Sequence, residues 1–362
     1  IHDALDRRLL HVLIAHSRPV TSVAWHPGGK RLASSSEDGT VRLWASTGKP
    51  THLLEGHTGP VYQVAWRPDG TQLASASADG TVRIWSADGR LIRTLDDGKR
   101  HVFAIDWDPT GSLLASVGGD IRPAEPNGDL EDNSVHIWKA DTGELERQMK
   151  PLVSYPGLCV DWRSDGQQLA VGFGHVYRST NWIGTALPNA GVRVWNRNGS
   201  GGLSIGRDVG SVRAVAWHPG GTQLAFGGRD GDVYLSSTKD GTPTRVLQDH
   251  ALDLITNGRD GNVHLTIGQA ESPARVLVDH AIDLYSICWN GQGTKLLSCC
   301  RKSLRETDLF GDSQTLVESG EIASALLKTV KWSPDGRMVA GAIPREQLEA
   351  RLNAAQTKVA AK

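Results

Sequence analysis

Cysteine is scarce in this chain, with four among 362 residues: Cys159, Cys288, Cys299 and Cys300. Their spacing fits neither a zinc-ligand set nor a disulfide framework, which points to a reduced, cytoplasmic compartment. Net charge is almost nil, at 39 Lys and Arg against 40 Asp and Glu. A balance this even provides no global field to draw the protein onto nucleic acid or an anionic membrane. No apolar run is long enough to span a bilayer. The opening IHDALDRRLL carries too many charges for a secretory leader and lacks Met, so it reads as part of a longer polypeptide. Catalytic signatures are missing too. There is no G-x-x-x-x-G-K-[ST] loop, no G-x-S-x-G elbow and no H-E-x-x-H pair. The 13 His are scattered, mostly at repeat-equivalent places, so neither a metal nor a cofactor is expected.

Gly and Trp are plentiful instead, at 41 and 12, beside four Phe. The stretch VYQVAWRPDGTQLASASADGTVRIW, from Val61 to Trp85, shows how they are used. An apolar run ending in Trp66 meets a Pro-Asp-Gly turn. A second run, LASAS, meets an Asp79-Gly80 turn, and TVRIW closes the unit. Short runs joined by Gly/Asp turns predict antiparallel strands in hairpins. The same phrase runs from Val20 to Trp44, and Trp25, Trp66 and Trp107 are spaced by 41 residues. A repeat of that length with four short strands predicts an all-β propeller of four-stranded antiparallel blades.

The first-strand markers are Trp25, Trp66, Trp107, Trp162, Trp217, Trp289 and Trp332; third-strand Trp recur at Trp44, Trp85, Trp138 and Trp195. Spacing widens to 55 residues after Trp107 and again after Trp162, then to 72 after Trp217. The 72-residue interval holds a near-duplicate, VLQDHALDL and VLVDHAIDL, whose middle lacks its Trp and its Pro-Gly turn. That makes eight units, so seven or eight blades are expected, with a lean to eight, one of them reduced; residues omitted near 250–260 are the other reading. One ring is predicted over 1–343, closed by strand 9–14 joining the last unit at 325–343, which leaves no open edge. The Ala-, Glu- and Lys-rich tail 344–362 predicts a short helix beginning at Pro344.

The repeated phrase resembles the WD-repeat β-propeller family, over about residues 9–343. The resemblance implies a buried network of His, Ser or Thr, Asp and Trp in each blade. The first unit supplies His16, Ser34 or Ser36, Asp38 and Trp44; the second supplies His57, Ser75 or Ser77, Asp79 and Trp85. Ser36 and Ser77 are assigned the hydroxyl role. A buried Asp is tolerable only when its oxygens accept hydrogen bonds, and imidazole, hydroxyl and indole N–H are the donors at hand. Because the set recurs, it is read as fold cement rather than as a hydrolytic triad. Other units lack members: Gly98, Val153, Asp208 and Ala323 stand where the His is expected.

Two insertions remain. The first, Asp120 to Asn133, is acidic: Asp120, Glu125, Asp129, Glu131 and Asp132 against one Arg. The second, Gly172 to Gly191, holds His175, Tyr177, Arg178 and Trp182, the one Trp outside the repeat positions. Both join a second strand to a third, so both leave the same face on adjacent blades. Long loops on a rigid scaffold are where binding residues concentrate, and Trp, Tyr and Arg dominate binding hot spots. Packing of the loops on each other is the plainer alternative. The expected function is non-catalytic: a scaffold or sensor that holds a protein partner or other domains of the same polypeptide. The resemblance extends to propellers of bacterial signalling and defence proteins, including STAND-type ATPases. An enzyme using the face or channel is the alternative, but no constellation of polar side chains converging on the axis is legible. Nucleic-acid binding is weaker still, since no basic stripe exists.

Overall fold

The computed structural model describes residues 1–3, 10–98, 101–120, 133–151, 155–174, 191–205, 211–228, 233–237, 243–249, 263–265, 275–278, 285–299, 303–308, 313–318 and 329–342. Among these residues the chain is all β, in seven antiparallel sheets. Sheet I holds β2 (Val20–Trp25), β3 (Arg31–Ser36), β4 (Val41–Ala45) and β5 (Pro50–Leu54). Sheet II holds β6 (Val61–Trp66), β7 (Gln72–Ser77), β8 (Thr81–Ser86) and β9 (Leu91–Asp96). Sheet III holds β10 (Val102–Trp107), β11 (Leu113–Gly118), β12 (Val135–Lys139) and β13 (Leu145–Met149). Sheet IV holds β14 (Gly157–Trp162), β15 (Gln168–Phe173), β16 (Gly191–Asn196) and β17 (Leu203–Ile205). Sheet V has six strands: β18 (Val212–Trp217), β19 (Gln223–Gly228), β20 (Val233–Ser237), β21 (Pro243–Asp249), β22 (Val263–Leu265) and β23 (Arg275–Val278). Sheet VI holds β24 (Ser286–Trp289), β25 (Lys295–Cys299), β26 (Ser303–Asp308) and β27 (Ser313–Glu318). Sheet VII holds β28 (Val330–Trp332), β29 (Met338–Gly341) and β1 (His2–Asp3).

Within each four-stranded sheet the strands pair in chain order, as the hairpin turns predict. The first strand of each sheet lies beside the first strand of the next, and β28 lies beside β2. Burial follows from this arrangement. Second strands such as β7 are buried along almost their whole length, because both faces meet neighbouring sheets. Fourth strands such as β5 expose nearly every residue. The core is therefore a set of apolar seams between sheets. One seam joins Leu43 and Leu54 of sheet I to Val61, Val64 and Leu73 of sheet II. Another joins Ala340 of sheet VII to Val23, Trp25 and Leu32 of sheet I.

Two expectations change here. The reduced unit makes no sheet of its own: β22 and β23 pair onto the outer edge of β21. Among the described residues that unit contributes β22 and β23, and its sequence lacks the marker Trp and the turn after it. At the other end, the ladder partner of β29 is β1, through His2 to Val339 and Asp3 to Met338. Residues 10–14 form no strand, although the Leu10 and His11 amides donate to the Ile1 carbonyl. The tail 344–362 lies outside the described residues.

Glycine has one decisive use. Where sheet I has Ser36 and sheet II has Ser77, sheet III has Gly118, and a Cβ there would collide with the carbonyl of His101. Gly118→Ala should cost about 3 kcal/mol in urea unfolding, since strand and loop must separate. Gly29→Ala, at φ +67° with nothing within 4 Å of a Cβ, should cost about 1 kcal/mol from backbone strain alone. Equal costs would contradict the close approach.

Candidate functional site

In sheet I, His16 Nδ1 lies 2.9 Å from Asp38 Oδ2, and His16 Nε2 lies 2.8 Å from Ser34 Oγ. Trp44 Nε1 donates to the same Ser34 Oγ at 2.9 Å. Sheet II repeats this with His57, Asp79, Ser75 and Trp85, each bond at 2.8 Å. The donors run one way: indole N–H to hydroxyl, hydroxyl to bare imidazole nitrogen, imidazole N–H to carboxylate. The bridging hydroxyls are Ser34 and Ser75, which corrects the assignment to Ser36 and Ser77. Those two lie two residues nearer the turn, where their hydroxyls donate to the Arg18 and Pro60 carbonyls and accept the Asp38 and Asp79 amides. Ser34 and Ser75 are buried and saturated by indole and imidazole, so no substrate reaches them.

Sheet III rebuilds the network with its charges exchanged. Asp97 takes the loop position of His16, and His136 on β12 supplies the imidazole, its Nδ1 2.9 Å from Asp97 Oδ1. Ser116 Oγ donates to Asp97 Oδ2 and accepts Trp138 Nε1 at 2.8 Å. The Asp97–His136 exchange was missed because Gly98 was aligned with the His, one residue off. Asp120 falls at the register of Asp38 and Asp79 and is buried, so it stands as a turn aspartate at the root of the first insertion. Sheets IV and V substitute packing: Val171 and Phe226 replace the bridging Ser, and Phe173 meets Trp195 edge-on at 6.1 Å. Glu125, Asp129, Glu131, Asp132, His175, Tyr177, Arg178 and Trp182 lie outside the described residues.

The residues just before the marker Trp are Ala24, Ala65, Asp106, Asp161, Ala216, Cys288 and Lys331. Contrary to expectation, charged groups do converge there. Asp106 Oδ2 accepts the Trp162 amide of sheet IV at 2.7 Å, and Asp161 Oδ2 accepts the Trp217 amide of sheet V at 2.6 Å. Enclosure by the surrounding strands, then the neighbouring Asp161 carboxylate, raises Asp106 well above the usual carboxylate range. Burial lifts Asp161 to about 6, against the downward pull of the Trp217 amide and Lys331. Two carboxylates with separated affinities are a general acid–base pattern. Here each is tied to a structural amide, and no nucleophile is activated beside them. The signal was legible as VFAIDW and GLCVDW where three other units read VAW.

One end of the axis is aromatic. Phe103 lies 5.2 Å from Tyr62 and 5.7 Å from His101, stacked on the latter, and Arg213 sits 6.0 Å over the ring of Tyr285. Tyr62, Phe103, Arg213 and Tyr285 all stand four residues before a marker Trp, hence at one level, and all are half-exposed. Both insertions root at this end: the Gly119 amide donates to the His101 carbonyl and the Gly174 amide to the Pro156 carbonyl.

A family model described as WD domain, G-beta repeat matches residues 7–45, 48–86, 89–139 and 205–235. Those four stretches, less than half of the chain, are similar to WD repeats. Three curated proteins match short stretches of them. The probable cytosolic iron-sulfur protein assembly protein Ciao1 of Anopheles gambiae is 56% identical over 36 residues, 10% of this chain and 11% of that protein. The nuclear distribution protein PAC1 of Coprinopsis cinerea is 56% identical over 34 residues, 9% and 8% of the two chains. The COMPASS component SWD1 of Saccharomyces cerevisiae is 50% identical over 34 residues, again 9% and 8%. The chain thus spans about a tenth of the length of the curated relatives it matches. All three are eukaryotic, so they lend no support to a bacterial signalling origin. The crystal structure of the RRP9 WD40 repeats superposes with a TM-score of 0.70 at 16% identity, over 92% of this chain and 90% of that one, a likeness of fold.

The WD-repeat network makes sheets I and II acid-labile. Burial holds the His16 imidazole below 6.5, so its stabilisation begins to fall as pH drops through that value. Asp38 is drawn down to about 2 by bonds from Thr40 and His16 that outweigh its burial. Its contribution is complete above the unfolded value of 3.8 and lost as pH falls towards 2. Subtracting the pH profile of Asp38→Asn from that of the wild type should isolate this second step; identical profiles would contradict it. At pH 7, Ser34→Ala should cost about 2–3 kcal/mol by leaving a buried indole N–H unpaired, and Ser36→Ala about 1 kcal/mol. The reverse order would restore the original assignment.

Proposed function

We propose that the chain is a non-catalytic interaction platform, a closed seven-bladed WD-repeat ring whose aromatic mouth holds a protein partner. Closure is supported by β28 lying beside β2, by the apolar seam between sheets VII and I, and by the β1–β29 ladder. The observation that carries the binding reading is the half-exposed cluster of Tyr62, His101 and Phe103 with Arg213 over Tyr285 at one end of the axis. Half-exposed Tyr and Arg on a rigid rim give large contact area at low ordering cost. Both insertions root on that face through Gly119 and Gly174, and their sequences supply Tyr177, Arg178, Trp182 and the acids 125–132 as candidate partner contacts. A sensor or scaffold module within a larger signalling or defence polypeptide is the context this reading fits. Of the curated similar proteins, one is named for iron-sulfur protein assembly and one as a COMPASS component.

Tyr62→Ala with Phe103→Ala should weaken capture of the partner at least tenfold, the hot-spot scale of about 2 kcal/mol, with the melting temperature nearly unchanged. Leu91→Ala, on an exposed outer strand, should leave capture intact. Equal capture by the mouth variant and the wild type would refute the mouth as the binding face.

A further inference from the structure

We propose that Asp106 and Asp161 form a shared proton site on the ring axis, which clasps sheets III, IV and V and tightens their seams on mild acidification. The two residues occupy the same register position in neighbouring first strands, β10 and β14, and Asp106 accepts the amide of Trp162, the residue that follows Asp161. Each also bridges to the following sheet through a short amide hydrogen bond, at 2.7 Å to Trp162 and 2.6 Å to Trp217. Charge on these carboxylates is therefore felt directly at the III–IV and IV–V seams. The ionisable groups facing them are few. Lys331 of β28 acts on both, Cys159 of β14 lies beside Asp161, and Cys288 of β24 lies beside Lys331. The equivalent positions on β2, β6 and β18 are Ala24, Ala65 and Ala216.

One ammonium facing two carboxylates leaves one negative charge in excess, and a single proton removes it. The direction of the effect follows. A carboxyl group raised in the fold, to about 6 for Asp161, binds its proton in the native state while the unfolded chain has released it. Stability from this pair is thus gained as pH falls through about 6, opposite in sign to the His16 and Asp38 network. Sheets III and IV are also the two that carry the inserted loops, so proton occupancy is coupled to the sheets from which those loops spring.

Carboxyl carbon NMR of the full chain tests this on the native protein. The Asp161 resonance should titrate with its midpoint near pH 6 and the Asp106 resonance well above the ordinary carboxylate range, and each should vanish in the matching variant, Asp161→Asn or Asp106→Asn. In Asp161→Asn the Asp106 resonance should drop by about one pH unit or more, because its charged neighbour is gone, whereas in Asp106→Asn burial should keep Asp161 raised. Lys331→Met should move the wild-type midpoints upward. The denaturant midpoint of the wild type should rise, relative to Asp161→Asn, between pH 7.5 and 5.5. Titration of both groups in the ordinary range near pH 4, or parallel stability curves, would overturn the proposal. Asn retains an acceptor for the Trp217 amide, and if the variants fail to fold, the wild-type titration alone decides.

Discussion

A four-stranded antiparallel sheet satisfies its own backbone but leaves two broad faces to be covered. In this chain the cover for each face is the next copy of the same sheet. The seam between copies is the interaction on which everything else rests. It is apolar in its body, with Val, Leu, Ile and Ala of one sheet against those of the next. At its inner edge it is pinned by polar contacts that recur about one repeat apart. Thr21 Oγ1 donates to the Val61 carbonyl, Gln63 accepts the Ile105 amide, Asp106 accepts the Trp162 amide and Asp161 accepts the Trp217 amide. The marker Trp belong to the same seams. Trp107 and Trp217 donate to carbonyls of the preceding sheet, and Arg67 and Arg163 lie over those same two rings. A period near 41 residues is the sequence image of this contact between successive copies.

That explains what was legible beforehand. Spacing alone located the inner strands, the hairpins and the two insertions, since each must recur for the seams to match. The His16 and His57 networks were legible because every member recurs at a fixed offset. The choice between Ser34 and Ser36 was not. Serines two apart on one strand share a face, and only the reach of the imidazole between turn and indole decides which one bridges. Sheet III hid its network because function passed from one residue type to another: Asp97 for His, His136 for a position that is Arg42 in sheet I. The axial aspartates were overlooked for a different reason. Each is a single departure from Ala beside an otherwise constant Trp, and their meaning appears only when adjacent strands bring them together. The reduced unit reads as an eighth blade because its outer-strand sequence is intact, and among the described residues that sequence forms β22 and β23 beside β21.

Function follows from where the irregularities lie. Polar networks and apolar seams stiffen the body. Among the described residues, departures from the repeat include Asp106 and Asp161 on the inner strands, and the aromatic rings and arginine at the end of those strands where both insertions root. A regular body carrying irregular decoration at one end suits recognition. Among the described residues, the thiol beside Asp161 is Cys159, which burial pushes up to about 12.

Native-state hydrogen exchange at the seam amides tests this account most directly. The amides of Ile105, Trp162 and Trp217 donate across seams rather than within their own ladders. If the seams hold the ring together, these three exchange only through global unfolding, with the same free energy as amides in the centre of β7 and β11. Exchange as rapid as that of the exposed outer strands β5 and β9 would mean that the sheets open independently, and the account would fail.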